Sequence, residues 1–366
     1  MIGLTELIEK VQNASGLYLY GAGIVASGAA SELEYLTGVK PRAFAVTDTG
    51  SNPADVTGIP VISVSALQRI FREQDLLLVA VPEEYQSQIR KTLQESGIWN
   101  IIFMDSLLQS ALTGRYISEK YGMLCLPAGP DPVQEEGKDT GDTAVYMAVS
   151  HLDKPLLRTY EEASFVRKIQ VGAGLTKERL SKITDEDDML SLQNPIFGEL
   201  TAVHWIWKND RHRIKGLYHY RRVLDIRTED IRGLLQGDYD VILPMPYVCR
   251  PDTSMQYGRY LNEADVDILL SVLKEKYPED YPDAVRHLKG ELLYNYNILI
   301  TRGPVFDAYA EWLFDILAET ADRCEKVTRE RKARYIGRLG EVLTSIYFTS
   351  ERRAFRIANA GLIWRV

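Results

Sequence analysis

This 366-residue sequence has few cysteines, no long apolar runs and no excess of positive charge. Its three cysteines, Cys125, Cys249 and Cys324, are far apart and lack the close spacing of metal ligands, so we expect reduced thiols in a reducing compartment. No apolar run approaches the roughly 20 residues that span a bilayer, and the first residues are amphipathic and unlike a signal peptide. These absences predict a cytoplasmic protein without disulfides.

The charge balance excludes one class of partner and leaves another open. A formal net charge of −8 argues against general nucleic-acid binding, which needs a basic face. Residues 323–366 are the exception, with 11 Lys and Arg against 4 Asp and Glu. This basic segment is either a site for diphosphates, or a peripheral contact with the inner face of an anionic membrane, or a solvated helical face.

The length and composition fit two folded domains. Apolar residues make up 45% of the chain and charged residues 26%, which is typical of globular proteins. Residues 127–143 hold three prolines, three glycines and five acids, and too few apolar groups to fold alone. We therefore predict domains over residues 1–126 and 144–366, joined by this linker.

The first domain shows short apolar runs alternating with helical patterns, at residues 17–20, 44–46, 76–81 and 101–104. This alternation predicts a Rossmann-like, parallel α/β sheet. Gly21 and Gly23 belong to a G-x-G-x-x-A turn between a strand and a helix, and Asp48 ends the next strand, where it is placed to accept from ribose hydroxyls. The turn either binds a nucleotide or is a scaffold that keeps its shape without a ligand. Bound NAD is not favoured.

The second domain is also mixed α/β, with more helices and longer loops. Strands are predicted at residues 145–149, 169–171, 214–218 and 241–243. Asn194 and Pro195 are predicted to open a helix, with Asn194 as its N-cap. A second helix follows Gly303 and Pro304, with its apolar residues turned inward.

Several segments of this second domain resemble one family. They are residues 145–154 (VYMAVSHLDK), 170–174 (QVGAG), 194–209 (NPIFGELTAVHWIWKN), 216–222 (GLYHYRR), 297–300 (NILI) and 306–317 (FDAYAEWLFDIL). In this order they resemble the DUF4422 family of bacterial glycosyltransferases of capsule, exopolysaccharide and O-antigen synthesis. The resemblance covers roughly residues 144–350, and residues 58–62 (GIPVI) resemble the Rossmann-like domains attached to such enzymes.

The resemblance implies a GT-A-like α/β fold with helical additions, a nucleotide-sugar donor and a glycan or lipid-linked acceptor. Two segments depart from the family's usual form. Glu341 lacks the arginine that tends to follow it, and the acidic loop 185–188 differs.

Transfer from a nucleotide sugar needs cations or a metal for the leaving diphosphate and a carboxylate for the acceptor's proton. We assign catalytic roles to Glu199, Asp240 and Arg222. Donor binding is assigned to His151, Lys154, Gln170, Gly172, Ala173, Asn194, His219, Tyr220 and Arg221. Asp238 and Asp240 form a D-x-D pair that either holds a divalent metal or is an ordinary turn, and the arginines are either phosphate ligands or salt-bridge partners.

The sequence therefore predicts a glycosyltransferase of the hexosyl type, with a UDP-linked sugar as the expected donor. Two other functions stay open at this point. One is an NAD-dependent or nucleotide-sugar-modifying enzyme that acts through the first domain. The other is a non-catalytic subunit that binds a nucleotide sugar.

Overall fold

The computed structural model describes residues 2–128, 142–156, 161–327, 330–331 and 333–365. Most of the predicted linker, residues 129–141, lies outside the described residues. The rest is organised around two main sheets. We call residues 2–121 the N-terminal unit and the described residues from 122 onward the C-terminal unit.

The N-terminal unit is a predominantly parallel sheet with helices on both faces, as the sequence predicted. Its elements are α1 (Leu4–Asn13), β1 (Gly16–Tyr20), α2 (Ile24–Thr37), β2 (Ala43–Val46), β3 (Asp55–Val56), β4 (Ile59–Ser63), α3 (Val64–Ile70), β5 (Asp75–Val79), α4 (Glu83–Glu95), β6 (Ile101–Phe103) and α5 (Ser106–Tyr121). The strand order is β3-β4-β2-β1-β5-β6, and only the β3–β4 pairing is antiparallel. Leu17 and Leu19 of β1 face a core with α1, α2 and α5, while Tyr18 and Tyr20 face a core with α3 and α4.

The C-terminal unit combines a second sheet with larger helices. Its strands are β7 (Leu124–Cys125), β8 (Thr143–Val149), β9 (Val166–Gln170), β10 (Ile183–Thr184), β11 (Ile214–His219), β12 (Arg222–Asp225), β13 (Val241–Pro244), β14 (Tyr247–Val248), β15 (Leu292–Leu293), β16 (Leu299–Arg302) and β17 (Ile357–Trp364). Its α-helices are α6 (Asn194–Phe197), α7 (Leu200–Asn209), α8 (Thr228–Gln236), α9 (Thr253–Tyr257), α10 (Glu263–Lys276), α11 (Tyr281–Lys289), α12 (Gly303–Glu325) and α13 (Tyr335–Phe348).

The direction of these strands decides where ligand-binding side chains collect. Strands β9, β8 and β11 are parallel, so their carboxyl ends share one edge of the sheet, which we call the carboxyl edge. Strand β16 is antiparallel to β11, so it begins at that edge. Strand β13 is antiparallel to β16 and therefore begins at the opposite edge. Successive pairings β11–β12–β17–β13–β16–β11 close into a ring.

The helix predicted at Asn194 is interrupted. Gly198, with a φ of 58°, separates α6 from α7. The N-cap role predicted for Asn194 is wrong, because Gln193 occupies that position. The Asn194 amide instead donates to the carbonyl of Gly198 (2.8 Å), and so it braces the break from within. The helix predicted after Gly303 is confirmed as α12, with the expected residues fully buried: Phe306, Tyr309, Leu313, Ile316 and Leu317.

The two units are packed firmly against each other. Strand β7 follows α5 in the chain but pairs with β17, so the predicted first domain, residues 1–126, includes a strand of the second sheet. The carboxylate of Glu291 accepts from the Tyr116 hydroxyl (2.8 Å) and the Lys120 ammonium (2.7 Å), and it also pairs with Arg250. Polar side-chain contacts thus join the units, and β7 belongs to the second sheet.

Within the part of the chain that the structure describes, every helix is too short or too polar to span a lipid bilayer.

Candidate functional site

The carboxyl edge gathers several of the residues that the sequence singled out. His151 and Lys154 follow β8, Gly172 follows β9, and His219 ends β11. Asn297 precedes β16, which begins at the same edge. The edge therefore combines imidazoles, an amine and an amide over adjacent strands.

The sequence around Arg222 forms a tight hairpin. His219 of β11 pairs with Arg222 of β12, and Tyr220 and Arg221 make the turn between them. The chain therefore reverses direction at this point, and Arg221 and Arg222 do not continue along one strand. The Tyr220 hydroxyl accepts from the backbone N–H of Lys154 (3.1 Å), which ties the hairpin to the loop after β8.

The guanidinium of Arg222 contacts two aromatic rings. Its central carbon lies 4.2 Å from the centre of the Tyr296 ring and 4.3 Å from that of the Trp364 ring. The two rings are nearly perpendicular to each other (86°), with their centres 5.9 Å apart, so together they restrict the position of the cation. The buried Nε atom has no hydrogen-bond partner among the described residues.

His219 is held in its neutral form. Burial is the main cause, and the charges of Arg222, Arg221 and Arg334 add to it, so that the pKa of His219 lies well below its usual value. The Nδ1 atom accepts from the backbone N–H of Arg221 (3.3 Å), so the neutral ring carries its proton on Nε2. The residue is therefore a neutral donor among cations.

Asp153 lies close to three of the basic side chains at this edge. Burial raises the pKa of its carboxyl to about 6, against a hydrogen bond from the Ser150 backbone and the nearby charges of Arg334, Arg221 and His151. His151 also has a buried Nδ1 atom with no partner among the described residues. We define the cationic cluster as His151, Lys154, Arg221, Arg222 and Arg334.

Glu199 lies beside this cluster on the turn between α6 and α7. Its carboxylate accepts from the Asn297 amide (3.1 Å), which also donates to the carbonyl of Gly337 in α13 (3.1 Å). The structure thus brings the predicted carboxylate to the carboxyl edge.

Four residues predicted to bind the donor, namely Gln170, Gly172, Ala173 and Asn194, use their polar groups within the protein. Both ends of the Gln170 amide bond to the loop 178–180. The N–H groups of Gly172 and Ala173 each donate to the buried carboxylate of Asp185 at 2.9 Å. Asn194 lies so close to Gly172 that a Cβ there would be 3.0 Å from its Oδ1 atom. These residues shape the edge and hold the loop in place.

Asp240 lies elsewhere. It precedes β13, at the edge opposite the cationic cluster, and accepts from the backbone N–H of Arg356 (2.9 Å) and from the Arg302 guanidinium. Although burial acts to raise it, these partners hold the pKa of Asp240 below its usual value. Asp238 is exposed on the turn before it. The structure does not bring this D-x-D pair to the carboxyl edge, and among the described residues no three His, Cys, Asp or Glu side chains cluster as metal ligands.

The basic segment contributes mainly to ion pairs inside the fold. The pairs are Arg323–Glu275, Arg331–Asp265, Arg352–Asp280, Arg353–Asp280, Arg356–Asp240 and Arg365–Glu162. Arg334 differs, because it is exposed and belongs to the cationic cluster. Its left-handed backbone (φ 59°) and a bond from its N–H to the carbonyl of Pro195 (3.0 Å) place it beside the α6–α7 turn.

The glycine turn of the N-terminal unit has a packing explanation. A Cβ on Gly21, where φ is 114°, would lie 2.8 Å from a methyl group of Val81. Gly23 precedes α2 and faces open space. The Asp48 carboxylate accepts from the N–H of Gly50 (2.8 Å) and the Ser51 hydroxyl (2.7 Å), and so closes its own turn.

The N-terminal unit nevertheless reaches the site. Glu84, at the start of α4, pairs with Arg221 at 3.4 Å. Side chains of α5 face those of the carboxyl edge across a narrow cleft that includes Gln109, Tyr296 and Trp364. The buried Oδ1 atom of Asn295, which also lines this cleft, has no partner among the described residues.

Sequence reasoning missed several of these residues. Tyr296 and Trp364 are far apart in the chain and meet only because β12 pairs with β17 and β16 begins beside them. In the sequence, Arg334 is one of many basic residues in segment 323–366, and Glu341 stands out only because it departs from the family pattern. A single carboxylate within a helix has no local sequence signature that marks it as part of a site.

The comparisons with known proteins agree with this geometry. Residues 147–352 match the family described as a domain of unknown function, DUF4422. No curated protein matches the chain. Among solved structures, the apo structure of WbbM, a bifunctional glycosyltransferase, is similar with a TM-score of 0.55 and 22% identity. The match covers 62% of this chain and 45% of that one, so this chain corresponds to less than half of WbbM, and the likeness concerns the fold. Since the matched region spans more than half of its residues, the chain belongs to the DUF4422 family.

Proposed function

We propose that the protein is a glycosyltransferase that takes its sugar from a nucleoside diphosphate donor, with the diphosphate bound by the cationic cluster. The observation that carries this proposal is Arg222, held against the Tyr296 and Trp364 rings, with its buried Nε atom unpartnered among the described residues. A fixed, planar guanidinium presents paired N–H groups to phosphate oxygens. Its position at the carboxyl edge is where α/β folds bind their ligands.

The chemistry of transfer explains why cations gather here. When the bond between the sugar and the phosphate breaks, negative charge develops on the leaving diphosphate. Preorganised cations stabilise that charge more in the transition state than in the ground state. Arg221, Arg222 and Arg334 supply positive charge around this edge, and neutral His219 supplies a hydrogen-bond donor.

The finer assignments are part of the same proposal. We infer a UDP-linked hexose as donor and a surface polysaccharide or lipid-linked glycan as acceptor. The glycosyltransferase fold of WbbM supports the class of reaction. A cytoplasmic location, where activated sugars are made, is part of the same proposal.

Calorimetry on the full chain tests donor binding. We expect UDP to bind, NAD not to bind, and Arg222→Ala to weaken UDP binding at least tenfold, as for loss of a charge-assisted contact. Arg232→Ala is the matched control, because Arg232 forms only an exposed pair with Glu229 within α8. Unchanged UDP binding by a folded Arg222→Ala variant contradicts the proposal, as does preferential binding of NAD.

Release of UDP from UDP-glucose, UDP-galactose or UDP-N-acetylglucosamine, with water as acceptor, tests turnover. Release from one of them supports an enzyme. Tight UDP binding without any release, with water or with added glycans, indicates instead a non-catalytic binding subunit.

A further inference from the structure

Two glycines allow α13 to lie unusually close to the turn that carries Glu199. A Cβ on Gly337 would lie 2.7 Å from the carbonyl oxygen of Phe197, and one on Gly340 would lie 2.6 Å from a methyl group of Leu200. Both distances are shorter than side chains tolerate, so larger residues would push the helix away. The residue after Gly340 in this helix is Glu341.

Glu341 lies on the face of α13 that contacts the site. Gly337, Glu341 and Thr344 are spaced by four and three residues, which places them on one side of a helix. Asn297 is hydrogen-bonded to both ends of this stripe. Its amide N–H donates to the carbonyl of Gly337 (3.1 Å), and its side-chain oxygen accepts from the Thr344 hydroxyl (3.2 Å). Since Asn297 also holds Glu199, the stripe brings Glu341 next to the predicted carboxylate.

The surroundings of Glu341 make its carboxyl a stronger base than usual. Burial raises its pKa to about 8, and the charge of Glu199 adds to this, while Arg222, Arg338 and the backbone N–H of Tyr296 act in the opposite direction. Tyr260 also faces it, with a buried hydroxyl that has no partner among the described residues. The side chain of Glu341 remains partly exposed, so a substrate can reach it.

We propose that Glu341 is the catalytic base that takes the proton of the acceptor hydroxyl, and that transfer inverts the configuration of the sugar. This inference depends on the proposed function, since it assigns a group to the same reaction. The acceptor oxygen forms a bond to the anomeric carbon and gives its proton to the Glu341 carboxylate. The bond from the anomeric carbon to the phosphate oxygen breaks, and its electron pair leaves with the diphosphate. Glu199 is a positioning residue, held by Asn297 beside the base.

Glu341→Gln is the first test, because it keeps the shape of the side chain and removes the base. With water as acceptor and the best of the three UDP-sugars as donor, we expect UDP release to fall at least ~100-fold. Calorimetry should give a Kd for UDP close to the wild-type value, which shows that the variant is folded. Glu351→Gln is the control, because Glu351 is a largely exposed carboxylate just beyond the same helix.

The pH profile separates a base from a structural residue. Wild-type UDP release is expected to rise with pH through about 8, since the base must be deprotonated to act. Glu341→Gln should lose this rise. A variant with wild-type turnover and the same profile overturns the assignment.

Sodium azide provides a chemical rescue. Azide attacks without losing a proton, so it should restore UDP release by Glu341→Ala and give a glycosyl azide of inverted configuration, identified by NMR. A wild-type product of retained configuration, or a variant that azide does not restore, contradicts the inference. If the wild-type protein neither binds nor releases UDP, the proposed function itself is wrong. If the wild type is active and substitution of Glu341 has no effect, only the assignment of Glu341 as the base is wrong.

Discussion

Arg222 shows how a single side chain can be oriented without a rigid network of hydrogen bonds. Tyr296 and Trp364 contact it from two directions, with their ring planes nearly perpendicular to each other. A lysine there would keep the charge and lose both the flat surface and the paired donors. Charge alone is therefore not what the site selects.

We predict that Arg222→Lys weakens UDP binding about tenfold and leaves the thermal stability of the chain nearly unchanged. The loss corresponds to about 1.4 kcal/mol, within the range of one charge-assisted contact. Titration calorimetry measures it, with Arg232→Lys as the control. Equal affinity of Arg222→Lys and wild type for UDP would show that only the charge matters.

Asp240 is the residue where local pattern and structure diverge. A D-x-D next to a strand suggested a metal site, but whether a strand begins or ends at the carboxyl edge depends on its partners in the sheet, which the sequence does not state. Strand β13 begins at the opposite edge, and Asp240 is bonded to Arg356 and Arg302 there.

We expect Asp240→Asn to lower the free energy of unfolding by about 1–2 kcal/mol. The loss is limited because Arg302 and Arg356 are partly exposed, so water replaces some of their hydrogen bonds to the carboxylate. Binding of UDP, measured with and without EDTA, should not change. Loss of UDP binding in this variant would restore the metal-site interpretation.

At the scale of the elements, sequence periodicity predicted the parallel strands and the long helix α12 because their burial patterns are local. It failed at the α6–α7 turn, where a helical pattern continues through Gly198 although the backbone breaks there. It also failed at the hairpin of His219 and Arg222, because a two-residue turn of Tyr and Arg lacks the usual glycine or asparagine. Both of these turns contribute residues to the candidate site.

The packing of α13 on the α6–α7 turn leads to a prediction. Gly337→Ala places a methyl group against the Phe197 carbonyl, so we expect a loss of about 1–3 kcal/mol in the free energy of unfolding. UDP release should fall as well, because the helix that carries Glu341 moves away from Glu199. Urea denaturation and the release assay measure the two effects. Gly3→Ala is the control, since a Cβ there meets nothing within 4 Å; equal results for both variants would contradict the prediction.

Helices α2 and α5 are joined by a carboxyl that titrates near neutrality. Glu32, only 2% exposed, accepts from the Thr113 hydroxyl (2.7 Å). Burial raises the pKa of Glu32 to about 7, with the Thr113 bond opposing and the charge of Glu291 adding to the shift. Between pH 4.5 and 7 the folded chain keeps a proton that the unfolded chain has lost, so stability from this group falls as pH rises.

We therefore predict that Glu32→Gln, which still accepts from Thr113, removes part of the loss of stability between pH 4.5 and 7, roughly 3 kcal/mol at most. Urea unfolding at pH 4.5 and 7.5 measures the difference between variant and wild type. A variant whose stability falls over this range as steeply as that of the wild type would exclude Glu32 as the titrating group.

For the whole molecule, the contact between Glu84 and Arg221 connects the N-terminal unit to the proposed donor site. A diphosphate would compete with the Glu84 carboxylate for the same guanidinium. Because the pair is partly exposed, its contribution is small.

Glu84→Gln should therefore raise the affinity for UDP about threefold, corresponding to less than 1 kcal/mol. Calorimetry at low salt gives the clearest signal, since salt screens such pairs. Glu6→Gln is the control, because it removes an exposed ion pair with Lys10 within α1. A weaker affinity in Glu84→Gln would mean that the contact supports the donor site.

The pairing of β7 with β17 has a practical consequence for anyone who wishes to cut or recombine this chain. A truncation at the apparent linker would strip Leu124 and Cys125 from the C-terminal unit and leave the Asn359 amide, which now donates to the Leu124 carbonyl (2.8 Å), without its acceptor. Chimeras should instead be joined after Gly122, so that the short strand stays with the C-terminal unit.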